Sequence, residues 1–295
     1  MIRSFKFGAV VRLAATFSTT AYLSGATLAE QYDTSRVVAV GGSVTEIVYL
    51  LGEAERLAAR DSTSLYPPEA LALPDVGYMR ALSPEGVLSV DPSLILMLEG
   101  SGPPDALDVL KKASIPLVQV PERFDRDGIL AKIEVIGEAL GVADKAKALA
   151  EQVEADTLAA EHATDGIEDR ARVIFVLSLQ GGRILASGVD TAADGVISMA
   201  GAVNAVTGYT GYKQLTDEAV IEAAPDFVLA MDRGGDHEAA VEELLAHPAI
   251  ASTPAGRNRK VIRMDGSFLL GFGPRTASAV RDLAHAIYGD AVAAD

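Results

Sequence analysis

The stretches "LSPEGVLSVDPSLILM" (82–97) and "LTDEAVIEAAPDFVLAM" (215–231) follow one pattern. Each carries a hydroxyl residue suited to cap a helix (Ser83, Thr216) and a glutamate two positions on (Glu85, Glu218). An apolar pair comes next, with a proline nine positions after the cap (Pro92, Pro225). The hydroxyl accepts from an amide that the first helical turn leaves unpaired, and the glutamate faces the positive end of the helix dipole. A continuous apolar run suited to a buried strand follows in both. A capped helix delivering a buried strand twice over, in the same register, predicts two similar α/β halves with a cleft between them.

Further strand and helix signals extend both halves. "RVVAVGGSVTEIVYLLG" (36–52) predicts a strand, a glycine turn and a helix that buries Ile47, Val48, Leu50 and Leu51, with Ser43 or Thr45 as its cap. "PSLILML" (92–98) and "IPLVQVP" (115–121) read as buried strands. "RVIFVLSL" (172–179) starts a second series, continued by "DFVLAM" (226–231) and "KVIRMDG" (260–266). Strands alternating with helices predict parallel sheets covered on both faces. The segment between the series is rich in Ala, Glu, Lys and Leu at helical spacing. Gly141 interrupts it, and 143–163 reads as one long helix because no proline breaks it. The expected organisation is a leader over 1–29, an N-terminal α/β lobe over 30–140, a linking helix over 141–168 and a C-terminal α/β lobe over 169–295. These are two Rossmann-like lobes with parallel sheets, joined by a single long α-helix, with the ligand cleft between them.

The first residues place Arg3, Lys6 and Arg12 around a mostly apolar stretch that ends in small residues at Thr27 and Ala29. This is the form of a secretory signal peptide cleaved after Ala29. The apolar run is too short and too interrupted by Ser and Thr to span a bilayer. Formal net charge is −16, from 41 acidic and 25 basic residues, and −19 without the leader. That balance argues against nucleic acid, whose binding proteins present basic patches to replace counterions. No cysteine occurs, so there is no disulfide, no thiolate ligand and no site for lipid attachment at the mature N-terminus. A soluble, monomeric exported protein, in the periplasm, is the expectation.

Few residues here favour catalysis. "VGGSVTE" (40–46) lacks the third glycine of a dinucleotide fingerprint, the Lys-Ser/Thr of a P-loop and the closing glycine of a nucleophile elbow. His162, His237, His247 and His285 have neither the spacing of a zinc site nor a nucleophile to serve, which predicts surface or structural roles. The carboxylates are dispersed, so no catalysis is expected and an exported α/β enzyme is the weakest reading. Tyr78 and Arg80 differ, because "GYMRALSPE" (77–85) aligns with "GYKQLTDE" (211–218). Each half thus carries Gly-Tyr just before its capped helix, at Tyr78 and Tyr212, at a place facing the cleft. A neighbouring cation lowers a phenol's pKa, and a phenolate is a hard anionic ligand for ferric iron. On the residues alone, a cleft-lining aromatic and an iron ligand both stand.

The elements "RVVAVGGSVTEIVYLLG", "DVGYMRALSPEGVLSVDPSLIL", "SGVDTAADGVISMAGAVNAV" and "LLGFGPRTASAV" resemble the haem-binding periplasmic proteins of bacterial haem ABC importers. The resemblance spans about 30–290. It implies a carrier of ferric haem (ferric protoporphyrin IX as transported ligand, not as catalyst) that delivers to an inner-membrane ABC permease dimer with its ATPase. It implies Tyr78 as the haem iron ligand, with Arg80 on the phenolate or a propionate, Arg275 as a propionate partner and Tyr212 on the second-lobe wall. Glu85 and Glu218 would dock on arginines of the two permease subunits. Some members add a second-lobe histidine. "SLQGGRILASG" (178–188) has none, so ligation by tyrosine alone is expected. The alternative within the same fold is a carrier of a ferric siderophore or a corrinoid.

Overall fold

The computed structural model describes residue 1, residues 32–232 and residues 237–292, so the leader expected over 1–29 lies, apart from Met1, outside the described residues. The first half runs β1 (Val37–Val40), α1 (Gly42–Leu50), β2 (Leu57–Arg60), α2 (Pro84–Leu88), β3 (Leu94–Leu98), α3 (Pro104–Lys112), β4 (Leu117–Val120) and α4 (Arg126–Leu140). Its strands form a parallel sheet in the order β2-β1-β3-β4. Every residue of the inner strands β1 and β3 is buried, as expected where helices cover both faces and the strand sequence is an unbroken apolar run.

α5 (Ala143–His162) carries the chain to the second half. Gly141, left-handed at φ 76°, ends α4. α4 and α5 then pack so closely that a Cβ on Gly137 would lie 2.1 Å from that of Ala146. The second half runs β5 (Arg172–Gln180), β6 (Arg183–Ser187), α6 (Ala192–Met199), β7 (Val203–Asn204), β8 (Tyr212–Leu215), α7 (Asp217–Ala223) and β9 (Phe227–Asp232). It ends with α8 (His237–Ala246), α9 (Pro248–Ala251), α10 (Pro254–Arg257), β10 (Val261–Asp265), α11 (Gly266–Leu270) and α12 (Thr276–Tyr288). Its sheet has the order β10-β9-β5-β6-β8, with β7 alongside β5.

This second sheet is mixed rather than purely parallel. β5 turns back into β6 through Gly181 and Gly182, at φ 56° and 71°, and β6 pairs antiparallel with both β5 and β8. Two central residues at positive φ are what a tight hairpin turn requires, and only glycine adopts them without strain. The parallel part, β10-β9-β5, alternates as a two-sided sheet should. Val173, Phe175, Phe227 and Leu229 enter the main apolar cluster, while Ile174, Val176, Val228 and Ala230 face a second one. The main cluster passes from β1 and β3 through α4 and α5 to α6 and α12, so the two halves share one core.

The repeat holds in three dimensions. Gly86 N–H donates to Ser83 Oγ, and Ala219 N–H donates to Thr216 Oγ1, at 3.4 and 3.3 Å. Before each proline the backbone is left-handed, at Asp91 (φ 49°) and Ala224 (φ 41°). An arginine at the head of each half's first strand covers the carbonyls left free there: Arg36 donates to Asp91 O and Val90 O, and Arg172 to Ala223 O. Two local expectations fail. Leu50 is exposed, because the buried stripe of α1 runs through Val44, Ile47, Val48 and Leu51. Neither Ser43 nor Thr45 caps α1: both lie inside it behind Gly41 (φ 115°), and Thr45 Oγ1 instead pairs with Ser64 Oγ at 2.7 Å.

The halves meet at a buried charge. Lys132, on α4, has no exposed surface, and its Nζ donates to Glu122 Oε1 at 2.5 Å and to Phe272 O at 2.9 Å. Phe272 belongs to the loop between α11 and α12, and its ring meets Phe124 edge-on at 5.3 Å. Removing one partner of a buried pair leaves the other uncompensated. Lys132→Met is therefore expected to lower the unfolding free energy by about 3 kcal/mol. Urea denaturation measures it, and a loss under about 1 kcal/mol would show that the site relaxes without the ammonium.

Candidate functional site

A cleft of about 820 Å³ lies between the halves. Its first wall consists of loops that leave the C-terminal ends of β1, β2, β3 and β4, where open α/β sheets place their ligand crevices. Tyr78 and Arg80 stand on this wall. Gly77 (φ 101°) turns the chain, Ala81 N–H donates to Tyr78 O, and Gly102 N–H donates to Met79 O. Met79 is buried and anchors the loop, so the residues on either side of it project outward. Tyr78 is 48 % exposed.

Tyr212 stands on the opposite wall, at the head of β8 and next to Gly211 (φ 82°), in the setting its first-half counterpart has after Gly77. Its ring meets Phe175 edge-on at 6.4 Å. Burial pushes its phenol pKa up, opposed by a hydrogen bond with Thr191, by the Arg80 charge and by a hydrogen bond with the Ala193 backbone. Arg80 thus acts across the cleft on the other half's tyrosine. It also opposes the upward shift that burial imposes on the Glu122 carboxyl, though Lys132 opposes it more strongly.

Arg275 lines the cleft, with part of its hydrogen-bonding capacity already used. Its Nε donates to Glu46 Oε2 at 3.0 Å and its backbone N–H to Glu46 Oε1 at 3.1 Å. Its guanidinium carbon lies 3.6 Å from the centre of the Tyr66 ring. Glu85 and Glu218 are exposed, in the first turns of α2 and α7 and outside the cleft. Ser83 Oγ donates to Glu85 Oε2 at 2.8 Å. The Glu218 carboxyl is lowered by its own backbone amide and by Thr216.

Glu46, Tyr66, Glu99 and Glu122 also line the cleft, and the sequence reading missed all four. Glu99 and Glu122 each follow the end of a parallel strand, so that topological rule would have found them. Glu46 and Tyr66 carry no such signal. Among the described residues no histidine lines the cleft and no cluster of metal-ligating side chains occurs. His162 and His285 sit on α5 and α12. His247 is buried, with its Nε2 3.0 Å from Gly182 O beneath the hairpin turn. His237 opens α8, and its side chain lies outside the described residues.

Two lobes, a connecting helix and a cleft at the strand ends define a binding protein. The periplasmic binding protein family matches residues 37–267, and the chain belongs to that family. Among solved structures it is similar to the periplasmic heme-binding protein BhuT in complex with two hemes, at 43 % identity, TM-score 0.81, 88 % of this chain and 99 % of that one. It is also similar to the periplasmic heme-binding protein RhuT from Roseiflexus sp. RS-1, at 38 % identity, TM-score 0.82, 88 % of this chain and 100 % of that one. The ABC transporter substrate-binding lipoprotein YvrC of Bacillus subtilis is 30 % identical over 258 residues, 86 % of this chain and 80 % of its own length. A vitamin B12-binding protein of Pectobacterium atrosepticum is 26 % identical over 221 residues, 73 % of this chain and 79 % of its own length.

Burial raises the Glu46 carboxyl above its ordinary value, against the Arg275 charge and hydrogen bonds that favour ionisation. A carboxyl raised in the folded state binds its proton more tightly there than in the unfolded chain. Its contribution to stability therefore grows as pH falls through the raised value toward the ordinary one near 4.5. The stability of the protein minus that of Glu46→Gln should accordingly rise as pH is lowered from 7 to 4.5 in denaturant titrations. A difference that is flat or falls over that range would mean Glu46 ionises as readily in the fold as outside it.

Proposed function

We propose that this protein captures ferric haem in the periplasm and hands it to an inner-membrane ABC permease with its ATPase. The observation that carries the reading is the placement of Tyr78 and Arg80 together on one wall of the interlobe cleft, both exposed to it. Haem is a flat apolar disc with an iron at its centre and two carboxylates on its edge. A carrier needs apolar walls, an iron ligand and a cation for a propionate. Met79, Leu98, Phe124, Met231 and Leu270 supply apolar surface in the cleft. Tyr78 Oη is the iron ligand, because tyrosinate is an established axial ligand for ferric haem. Arg80 neutralises the phenolate or a propionate, and Tyr212 lines the far wall. The similarity to two heme-binding proteins over nearly nine-tenths of the chain supports this reading above a siderophore or corrinoid carrier. The protein acts as a monomeric carrier and not as a catalyst, and the leader directs its export.

The iron ligand is tested by hemin titration. The purified protein should give a Soret band with a high-spin charge-transfer feature and a resonance Raman iron–phenolate mode. Tyr78→Phe should keep its melting temperature and lose that mode. An unchanged mode would move the ligand to Tyr212, and no hemin binding by the unsubstituted protein would return the choice to siderophore and corrinoid.

Glu85 and Glu218 stand at equivalent places in the two halves, exposed on the first turns of capped helices. One carboxylate per lobe, outside the cleft, is suited to meet one arginine on each permease subunit and to steer the approach. Glu85→Lys with Glu218→Lys should leave hemin binding intact and abolish hemin-stimulated ATP hydrolysis by the reconstituted permease. Normal stimulation would leave both residues as local helix-end carboxylates.

A further inference from the structure

Arg275 has the charge to hold a propionate, but its contacts give it another task. The segment Gly271–Arg275 belongs to the second half and lies against the first. A Cβ on Gly273 would come within 3.3 Å of the Ser43 Cβ, and Phe272 O accepts from the buried Lys132. Arg275 then closes two bonds on one carboxylate, that of Glu46 on α1, which is 4 % exposed. The guanidinium face lies on Tyr66, a ring on the first wall of the cleft. Those partners come from the first half and are far from Arg275 in sequence, so the pair ties α1 and the Tyr66 loop to the head of α12.

We propose that Arg275 is a positioning residue, paired with Glu46 to fix the second lobe against the first and thereby set the cleft's width. The pair carries no ligand of its own. A charge pair out of water holds a fixed geometry only while both partners remain, so losing either one releases the same joint. Lobe geometry and ligand retention are then coupled, and couplings of this kind commonly change affinity fivefold or more.

A propionate role for Arg275 and a latch role predict opposite effects of Glu46→Gln. If Arg275 serves a propionate, removing the competing carboxylate frees it and hemin dissociates more slowly. If the pair is a latch, Glu46→Gln and Arg275→Leu both speed hemin dissociation by about fivefold, and the double variant is no faster than the faster single. The lobe arrangement can be read without any ligand, so this test does not depend on haem being the cargo. The chain has no cysteine, and exposed Val109 on α3 and Ile221 on α7 can each be changed to cysteine and spin-labelled. The interlobe distance distribution of the apoprotein, read by pulsed electron resonance, should shift or broaden alike in Glu46→Gln and Arg275→Leu. An unchanged distribution in both variants, or slower hemin release from Glu46→Gln, overturns the latch.

Discussion

Lys132 is an ammonium with no exposed surface, held by one carboxylate and one backbone carbonyl. Water would solvate that charge far better than a protein interior does, so the arrangement persists only if both partners stay in place. Each partner fixes something else. Glu122 is part of the cleft wall, and Phe272 lies in the loop that runs from the second half to Arg275. Desolvation pulls the Lys132 pKa down, against the pull of Glu122 in the other direction. The contacts that bury this cation thus tie a residue of the cleft wall to the Phe272 loop of the second half, and the core shared through α4, α5 and α12 makes that register costly to disturb.

The same economy shapes the cleft's electrostatics. Two of its carboxylates, Glu46 and Glu122, are each bonded to a cation, Arg275 and Lys132. Arg275 is engaged with Glu46 and covered on one face by Tyr66, while Arg80 is exposed on the cleft wall. Arg80 therefore presents its charge to whatever enters, and it acts on Tyr212 across the gap. In a chain of net charge −16, this exposed guanidinium beside an exposed phenol is the feature on which the proposed haem site rests.

Local rules made much of this legible in the sequence. The repeat predicted two caps, two glutamates on first turns and two buried strands, because capping and strand burial are settled within about fifteen residues. The pairing of Tyr78 with Tyr212 followed from the same repeat, and both glycines before them do adopt positive φ. Gly181–Gly182 carries the chemistry of a hairpin turn, and the antiparallel pair it opens makes the second sheet mixed where strand–helix alternation alone predicts a parallel one. What could not be read was long-range. Arg275 meets Glu46 across 229 positions and Lys132 meets Phe272 across 140, and nothing local in "VGGSVTE" or "GFGPR" marks either contact. Ser43 looked like a cap because a hydroxyl near a helix start usually is one, whereas here Gly41 holds that position and the serine is buried without a partner.

The central claim is that one lobe's tyrosine takes the iron of a haem seated between the lobes. A crystal structure of the hemin complex, with iron located by its anomalous scattering, tests it most directly. The account predicts the iron peak within coordinate-bond reach of Tyr78 Oη, with Arg80 against that oxygen or a propionate. An iron peak bonded elsewhere, or haem bound outside the cleft, would contradict it.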